Sequence, residues 1–475
     1  MSEEALQPLY QKRIPIYPRS VKGRFRTLKN GILILAYSVY FLLPWVRWER
    51  LNAPHQAVLF DIPGRRFYLF DLAVHAQDII WLGGLLVIAA MLLFFVTGIA
   101  GRVFCGYFCF QTLWTDVFIL IERWVQGERP ARIRLDKAPL GLQKVLKKGA
   151  TYALWLLTAF LTGLTFTLYW GDAPVLVSQL VRGEAPFAAY ATTLFLTATT
   201  FVMAGLAREQ VCTYMCPYAR FQSAMFDKDT LIVAYDRRRG EGSQGRHKLA
   251  KGLKTREERL AQGAGDCVDC GYCVQVCPTG IDIRNGLQLQ CISCALCIDA
   301  CDTIMDSLNW PRGLISYTSD SAKEGLKARI VKPKTIGYGV ILIAAVTALT
   351  WSIVHRVSYN ALVAQERQPL YVVMSNGYIQ NTYEIKLNNR VTEPMVFRIT
   401  LEGLPGAELD LGGLNQITLE PERQLRVLAR VRLAPQGEEG GQRNFVFVIT
   451  PVSGPTTDPV TRPSVFYLPG SRAGL

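Results

Sequence analysis

The chain has 475 residues, of which 50% are hydrophobic, and its mean hydropathy is positive, at +0.17. These values exclude a single small soluble module and indicate membrane segments combined with soluble parts. The formal net charge of +14 is compatible with a nucleic-acid partner or an anionic membrane surface. Because apolar segments are present, membrane topology alone explains the excess of basic residues.

The apolar segments predict five transmembrane helices that follow a basic tail of residues 1–30. The predicted spans lie near residues 31–46, 79–101, 149–170, 185–207 and 335–354. Each is close to the roughly twenty residues that cross a hydrocarbon core. Basic residues concentrate in the tail, in residues 102–148 and after residue 207, so the positive-inside rule predicts that these parts are cytoplasmic. Five spans would then leave the C-terminal part on the periplasmic side.

Two cysteine pairs follow the second and fourth predicted spans. They are Cys105-Gly-Tyr-Phe-Cys109 and Cys212-Thr-Tyr-Met-Cys216. On one helical turn, this spacing would place both sulfurs on the same face. Two soft thiolates favour Cu(I), whereas four brought together would bind zinc or a further iron–sulfur cluster. A plainer interpretation is that they are buried small residues at helix ends, but two copies beside further cysteines favour metal or redox chemistry.

Eight more cysteines lie in residues 227–334, a segment predicted to be a cytoplasmic ferredoxin-like domain. They form two successive C-x2-C-x2-C-x3-C runs, the spacing that holds a pair of 4Fe-4S clusters, with the fourth cysteine of each run ligating the other cluster. This rule assigns Cys267, Cys270, Cys273 and Cys301 to one cluster, and Cys277, Cys291, Cys294 and Cys297 to the other. Zinc needs only four ligands in one closed tetrahedron, which two such runs exceed. All twelve cysteines are grouped in this way, which argues for metal ligation in a reducing compartment and against secreted disulfides.

The charged stretch of residues 237–265 precedes the cysteine runs and is rich in glycine and arginine. It contains no aromatic residue that could stack on a base, so the sequence favours a flexible connector and no nucleic-acid partner.

Residues 357–475 change to an alternation of apolar and polar residues with a period of two. The apolar positions form four sets: Tyr383, Ile385 and Leu387; Phe397, Ile399 and Leu401; Val427, Ala429, Val431 and Leu433; and Phe445, Phe447 and Ile449. Turn signals separate these sets, so the pattern predicts an antiparallel sandwich of about seven strands. Such a domain would serve either as a stable cap or as a docking site for a partner.

Several segments resemble the CcoG/FixG family (also called RdxA) of cytochrome c oxidase accessory proteins. They are residues 101–107, 111–114, 209–220, 291–302, 313–317 and 401–406. The resemblance covers nearly the whole chain. It implies a multi-domain protein of the bacterial inner membrane: a polytopic helical bundle, a cytoplasmic two-cluster ferredoxin-like segment and a periplasmic immunoglobulin-like sandwich.

The resemblance also implies an activity, the reduction of Cu(II) to Cu(I) during assembly of a cbb-type cytochrome c oxidase. Carried over by position, Cys105, Cys109, Cys212 and Cys216 would be the thiols that hold copper and take part in its reduction. The partners implied are the membrane, an electron donor, and copper-delivery or oxidase assembly proteins. The family pattern has proline after both pairs, whereas this chain has Phe110 after the first, which leaves the local turn there open.

Two other functions fit the same residues. One is a quinol-linked electron-transfer subunit with no role in copper chemistry, and the other is a docking or assembly factor whose clusters are structural. The sequence leaves open the electron donor, the oxidase served, the oligomeric state (a homodimer is one option), and whether the two pairs share one metal.

Overall fold

A computed structural model of the protein describes residues 15–50, 54–75, 78–249, 255–326, 329, 331–391, 393–421, 423–434, 441–454 and 458–469. The chain divides into two compact units. Among the described residues, the first contains nearly all those up to Leu349, and the second begins at Thr350 and adds Arg50 and Pro54.

The helices of the first unit carry the bundle and the cysteine-rich segment. They are α1 (Arg24–Leu42), α2 (Ile79–Ala100), α3 (Val103–Tyr107), α4 (Phe110–Gln126), α5 (Arg129–Lys137), α6 (Leu142–Leu168), α7 (Ala173–Arg182), α8 (Phe187–Thr200), α9 (Pro217–Met225), α10 (Arg237–Glu241), α11 (Arg256–Ala261), α12 (Tyr272–Gln275), α13 (Leu296–Ser307), α14 (Asp320–Lys323) and α15 (Pro333–Val354), whose last residues belong to the second unit. Two π-helical segments, Phe201–Ala207 and Val211–Met215, follow α8. Short 3-10 turns occupy Leu43–Trp45 and Ile283–Asn285.

In the described part of the chain, six helices are long and apolar enough to cross a membrane, one more than the sequence predicted. They are Arg24–Trp45, Ile79–Ala100, Val103–Gln126, Leu142–Leu168, Phe187–Ala207 and Pro333–Val354. The additional segment, Val103–Gln126, lies in residues 102–148, which the prediction treated as a cytoplasmic connection. The prediction rested on the basic residues of this connection and did not weigh the acidic residues of the segment, Asp116 and Glu122, which are buried and bonded to Arg26 and Arg132.

The first helix also begins earlier than predicted, at Arg24 and not near residue 31. Its basic first turns are neutralised by the rest of the unit: Arg26 forms an ion pair with Asp116 at 2.9 Å, and Lys29 lies 3.8 Å from the same carboxylate. Because Lys29 is buried, this part of the helix belongs to the protein interior and not to a solvated tail.

Two small sheets complete the first unit. One is an antiparallel meander of β1 (Val58–Asp61), β2 (Arg66–Leu69) and β3 (Leu72–His75) between the first two long helices. The other pairs β4 (Ile232–Tyr235) with β5 (Ile315–Thr318), on either side of the cysteine runs in sequence. The β4–β5 pair thus closes the cysteine-rich segment into one domain.

The stretch of residues 237–265 is not the flexible connector that its composition suggested, as far as the structure describes it. It contains α10 and α11, and the second of these begins with a capping box formed by Thr255 and Glu258. Arg239 and Arg256 both form ion pairs with the buried carboxylate of Asp266, just before the first cysteine of the runs.

The second unit is the predicted antiparallel sandwich, with nine strands among its described residues. The strands are β6 (Tyr359–Gln365), β7 (Val372–Val373), β8 (Ile379–Asn389), β9 (Met395–Glu402), β10 (Ala407–Asp410), β11 (Ile417–Leu419), β12 (Gln424–Leu433), β13 (Gln442–Ser453) and β14 (Val460–Tyr467). One sheet has the order β10-β12-β8-β6, with β7 also paired to β8, and the other has the order β11-β9-β13-β14. The predicted inward residues form its core; Tyr383, Ile385 and Leu387, for example, are fully buried.

Candidate metal centres

The eight cysteines of the two runs line two neighbouring cavities. Cys267, Cys270, Cys273 and Cys301 line the first cavity, and Cys277, Cys291, Cys294 and Cys297 line the second, where Cys273 also contributes. Each cavity has about 360 Å³ of space not filled by protein atoms, a volume that includes space open to solvent. This is the grouping that the spacing rule predicted, although ligation itself stays a prediction.

The backbone of the two runs has the same unusual conformation at matching positions. Asp269 and Gly271 have φ angles of 48° and 66°, and Ser293 and Ala295, at the same places in the second run, have 52° and 60°. A left-handed residue other than glycine costs about 1–2 kcal/mol, so the fold maintains this shape against a penalty. Alternating left- and right-handed residues turn successive N–H groups to one side and create a concavity for anions, as at many iron–sulfur sites. The residues therefore fit a negatively charged iron–sulfur group.

Zinc fits this arrangement less well. In the parts of the chain that the structure describes, no three or more His, Cys, Asp or Glu side chains are placed to hold one metal ion. A structural zinc site requires four ligands at about 2.0–2.3 Å from a single point. The thiols instead surround cavities, as expected for ligands of a larger group.

Burial keeps the thiols of Cys273, Cys294 and Cys297 protonated when no metal is bound. It raises the pKa of both Cys273 and Cys294 to about 12, from an ordinary value of 9.0. Burial is also the largest cause of the raised pKa of Cys297, to which the neighbouring thiols add. Loading these sites must therefore release protons, as is usual where thiolates bind metal.

The first prediction concerns the stability of iron-free protein at alkaline pH. Between about pH 9 and pH 12, the unfolded chain loses thiol protons that Cys273 and Cys294 retain in the folded state. The folded state then binds more protons, so the free energy of unfolding falls as pH rises, by about 1.4 kcal/mol per pH unit for each such thiol. Chemical denaturation of iron-free protein at several pH values should show this decline above pH 9, with no contribution from these thiols below it.

Iron-loaded protein is the control, because ligating cysteines carry no proton to lose. The decline should be much weaker in the loaded form. Parallel curves for the two forms would contradict the assignment of these thiols as ligands.

The second cavity adjoins the first outlying cysteine pair. Tyr107, two residues after Cys105, donates a hydrogen bond from its hydroxyl to the carbonyl of Cys294 at 3.2 Å. The backbone of Gly106 approaches so closely that a Cβ there would lie 2.7 Å from the carbonyl oxygen of Ile292. Only glycine fits this contact, which places the first pair directly against the loop of the second cavity.

Both outlying pairs have the same local structure, and it differs from the single helical turn that the spacing suggested. The first cysteine of each pair lies in a short helical segment, α3 or the π-helix Val211–Met215, and the second immediately precedes the next helix. Cys109 has φ and ψ of −65° and 128°, and Cys216 has −78° and 110°. Phe110 and Pro217 are each the first residue of a helix. Proline is favoured at this position, but other residues also occur there. The first turn therefore has nearly the same conformation as the second, although it lacks the proline.

The four outlying thiols, Cys105, Cys109, Cys212 and Cys216, are half-buried and close enough to interact electrostatically with one another. Burial, together with the nearby Cys109 and Cys216, raises the pKa of Cys212 to about 11. The Cys105 thiol donates to the side-chain oxygen of Gln222 at 3.2 Å. The fold thus brings the two pairs near one another, without a ready-made site for one ion in the residues described.

Comparisons with known proteins agree with this architecture. A family model described as "4Fe-4S dicluster domain" matches residues 207–320, and one described as "IG-like fold at C-terminal of FixG" matches residues 349–469. The chain is 40% identical to Protein RdxA of Cereibacter sphaeroides over 468 residues, which cover 96% of this chain and 97% of RdxA. It is 42% identical to Nitrogen fixation protein FixG of Rhizobium meliloti over 439 residues, or 86% of this chain and 82% of FixG. The chain belongs to the FixG/RdxA family.

Two further relatives complete these comparisons. Protein RdxB of Cereibacter sphaeroides is 44% identical over 415 residues, which cover 85% of each chain. A crystal structure of a FixG-related protein from Vibrio parahaemolyticus is 19% identical, with a TM-score of 0.21, and covers 23% of this chain and 96% of its own. The family membership and the dicluster model together support bound iron–sulfur clusters in a membrane protein of oxidoreductase type.

Asp299, which the sequence reasoning did not single out, anchors this FixG/RdxA-type dicluster segment to the first long helix. It lies on α13 between Cys297 and Cys301, and its carboxylate accepts hydrogen bonds from the backbone N–H groups of Phe25 and Arg26 at 3.2 and 2.7 Å. A negative group at a helix N-terminus stabilises the otherwise unpaired N–H groups there. Asp299 therefore caps α1 from outside the helix.

Arg102 is a second residue that the sequence reasoning missed. It is buried and donates hydrogen bonds to the carbonyls of Leu289 and Ala219. Leu289 lies two residues before Cys291, and Ala219 lies three residues after Cys216. The position of Arg102, three residues before Cys105, is the one available sequence signal. No local pattern could identify bonding partners so far along the chain.

Proposed function

We propose that this protein is a membrane iron–sulfur oxidoreductase that reduces Cu(II) to Cu(I) at its outlying thiols, for assembly of a cbb-type cytochrome c oxidase. The observation that carries the proposal is the contact between the first outlying pair and the second cavity, made through Gly106 and Tyr107. The rate of electron transfer falls steeply with distance, so this contact favours transfer of electrons from the dicluster segment to the outlying thiols.

In this proposal, one cluster is held by Cys267, Cys270, Cys273 and Cys301, and the other by Cys277, Cys291, Cys294 and Cys297. The bound clusters supply one-electron carriers. The polypeptide supplies the concave backbone of each run, the buried thiols, and the Tyr107 hydroxyl that fixes the Cys294 carbonyl.

Copper is the substrate in this proposal, and Cys105, Cys109, Cys212 and Cys216 receive it. One electron added to Cu(II) gives Cu(I), the ion that soft thiolates prefer. Few ligands suffice for Cu(I), so two thiolates of one pair, or one from each, can hold it without a preformed tetrahedral site. Each thiol that binds copper gives up its proton to solvent.

The distribution of basic residues indicates on which side of the membrane each part of the protein lies. Arg129, Arg134 and Lys137 of α5 lie in the basic segment after the second span, in the same unit as the cysteine runs. By the positive-inside rule, we place the N-terminus, the dicluster domain and the outlying thiols on the cytoplasmic side of a bacterial inner membrane. We also place the sandwich in the periplasm, which requires that Val103–Gln126, the segment absent from the five predicted spans, does not cross the membrane. Copper-delivery or oxidase assembly proteins would be the partners of the protein.

The second prediction tests the outlying thiols. Replacing Cys212 and Cys216 together by serine should lower the initial rate of Cu(I) formation by at least about tenfold, since hard hydroxyls bind Cu(I) poorly. The assay uses purified protein with intact clusters, an artificial electron donor and a Cu(I)-specific chelator. Iron content and visible absorbance should stay unchanged.

Tyr214→Phe is the matched control, because Tyr214 lies between the two cysteines and is 71% exposed. It should reduce copper at the wild-type rate. An unchanged rate in the double serine variant would remove this pair from the mechanism. Cluster reduction by quinol, with no copper bound in any variant, would favour the quinol-linked alternative.

A further inference from the structure

A basic groove lies beside the first cavity and has no role in the proposed function. Its volume is about 880 Å³. It is lined by Arg19, Ser20, Glu128, Arg129, Pro130, Ile133, Arg134 and Gln275. These residues come from the segment before α1, from the start of α5 and from α12, so three separate parts of the chain form its walls.

Positive charge dominates the groove. Three of the lining residues are arginines, against the single carboxylate of Glu128. That carboxylate already accepts a hydrogen bond from the backbone N–H of Ser20 at 3.4 Å. The groove therefore favours an anionic partner.

The groove borders the edge of the first cavity. The backbone N–H of Arg19 donates to the carbonyl of Gln275 at 2.8 Å, and the Arg19 guanidinium lies 4.6 Å from the ring centre of Tyr272. Tyr272 itself lines the first cavity. Of the twelve cysteines, all within the described residues, only Cys270 is exposed, and it lines the same cavity. An electron carrier seated in the groove would thus approach the first cavity where it is closest to solvent.

We propose that this groove docks the electron donor, and that the donor is an acidic protein carrying one electron at a time, on an iron–sulfur or flavin group. An iron–sulfur cluster accepts single electrons, whereas a nicotinamide gives up two as a hydride. The one G-x-G-x-x-G run, Gly240 to Gly245, begins at the end of α10 and follows a strand of a two-stranded antiparallel sheet. A dinucleotide site instead has this run at the start of a helix in a βαβ unit. In the transfer, the carrier loses one electron and the cluster at the first cavity gains it, with no atom or proton exchanged.

This inference rests on the iron–sulfur part of the proposed function and not on copper. Opposite charges on two redox partners raise their association rate by about 10- to 1000-fold, and salt screens the effect. The rim arginines should therefore control the rate of encounter, with little influence on the clusters themselves.

The third prediction uses the double variant Arg129→Glu/Arg134→Glu in the full-length, cluster-loaded protein. Arg129 is the first residue of α5, where glutamate is well tolerated, and Arg134 is exposed. Affinity for an oxidised acidic 2Fe-2S ferredoxin, measured by thermophoresis at low salt, should fall by at least about tenfold. The difference should shrink as ionic strength rises past about 0.15 M.

A kinetic arm separates docking from damage to the clusters. Stopped-flow reduction by the same ferredoxin, and by a flavodoxin hydroquinone in a parallel series, should slow in the double variant. Reduction by the small cation of methyl viologen should proceed at the wild-type rate or faster, which a structural defect would not produce. Arg65→Glu, a reversal at an exposed arginine outside the groove, is the matched control and should leave all rates unchanged.

The outcomes are distinct. Equal ferredoxin affinity and rate in the wild type and the double variant would overturn the docking site. A loss confined to binding of vesicles rich in anionic lipid would also overturn it, because the groove would then be a membrane contact. Binding of a nicotinamide nucleotide in the groove would overturn it as well. Failure of methyl viologen to reduce any variant would instead count against the electron-transfer function itself.

Discussion

Glu122→Gln is expected to destabilise the first unit by about 3–5 kcal/mol, the usual cost of leaving a buried charge without its partner. The Glu122 carboxylate accepts hydrogen bonds from two buried arginines, Arg132 at 3.0 Å and Arg208 at 3.1 Å. Their side chains are only 1% and 11% exposed. A neutral amide would leave both guanidinium groups without the carboxylate they are bonded to, and Arg132 would keep only its longer-range interaction with Glu128.

The same change should also disturb the second outlying pair. Arg208 has a φ of 38°, a left-handed conformation, at the turn between Phe201–Ala207 and the segment that carries Cys212. Its Nε donates to the carbonyl of Gly205 at 2.7 Å, and Glu122 holds the rest of the guanidinium. Loss of this bond would release the turn, so copper reduction should fall together with stability.

Thermal unfolding in detergent measures the first effect, with Glu184→Gln, an exposed glutamate of the same unit, as the control. A triple variant with leucine at Glu122 and methionine at Arg132 and Arg208 should recover part of the loss, because apolar residues can replace a buried ionic group at small cost. A Glu122→Gln protein as stable as Glu184→Gln would show that the ionic group contributes nothing.

The features that the sequence predicted well depend on local spacing. The cysteine runs have a spacing that few other structures require, and the period-two alternation of β8 and β12 corresponds to one buried face of a sandwich. Tyr383 and Val431, both predicted to point inward, are fully buried. In both cases, neighbours in sequence carry the whole signal.

The features that it missed depend on partners far along the chain. The extra long helix was missed because the prediction weighed only the basic residues of 102–148, whereas in the fold Asp116 and Glu122 form ion pairs with Arg26 and Arg208. Hydropathy counts charges one by one, whereas the fold neutralises them in groups. The contact of Gly106 with the second cavity was equally invisible, since a glycine in a C-x3-C motif has many possible explanations.

Replacing Arg102 by methionine is expected to lower the reduction potential of the second cluster by about 40 mV, equivalent to about 1 kcal/mol for one electron. Burial raises the pKa of Cys291, and the Arg102 guanidinium opposes that rise, so its positive charge reaches the second cavity. Removing a buried positive charge makes the addition of an electron less favourable. The variant should also lose stability, by about 1–3 kcal/mol for the buried carbonyl of Ala219 left without a donor, and by less for Leu289, which is 61% exposed.

Two further variants separate charge from positioning. Arg102→Lys keeps the charge but cannot reproduce the fork of donors, so it should retain the potential while losing part of the stability. Arg259→Met is the matched control: Arg259 is also buried, but donates to the carbonyl of Cys267 at 3.0 Å, beside the first cavity. It should shift the first cluster and leave the second unchanged in a redox titration followed by electron paramagnetic resonance. If both clusters shifted equally in each variant, the two arginines would act only through the general stability of the fold. Arg102 would then have no specific effect on the second cluster.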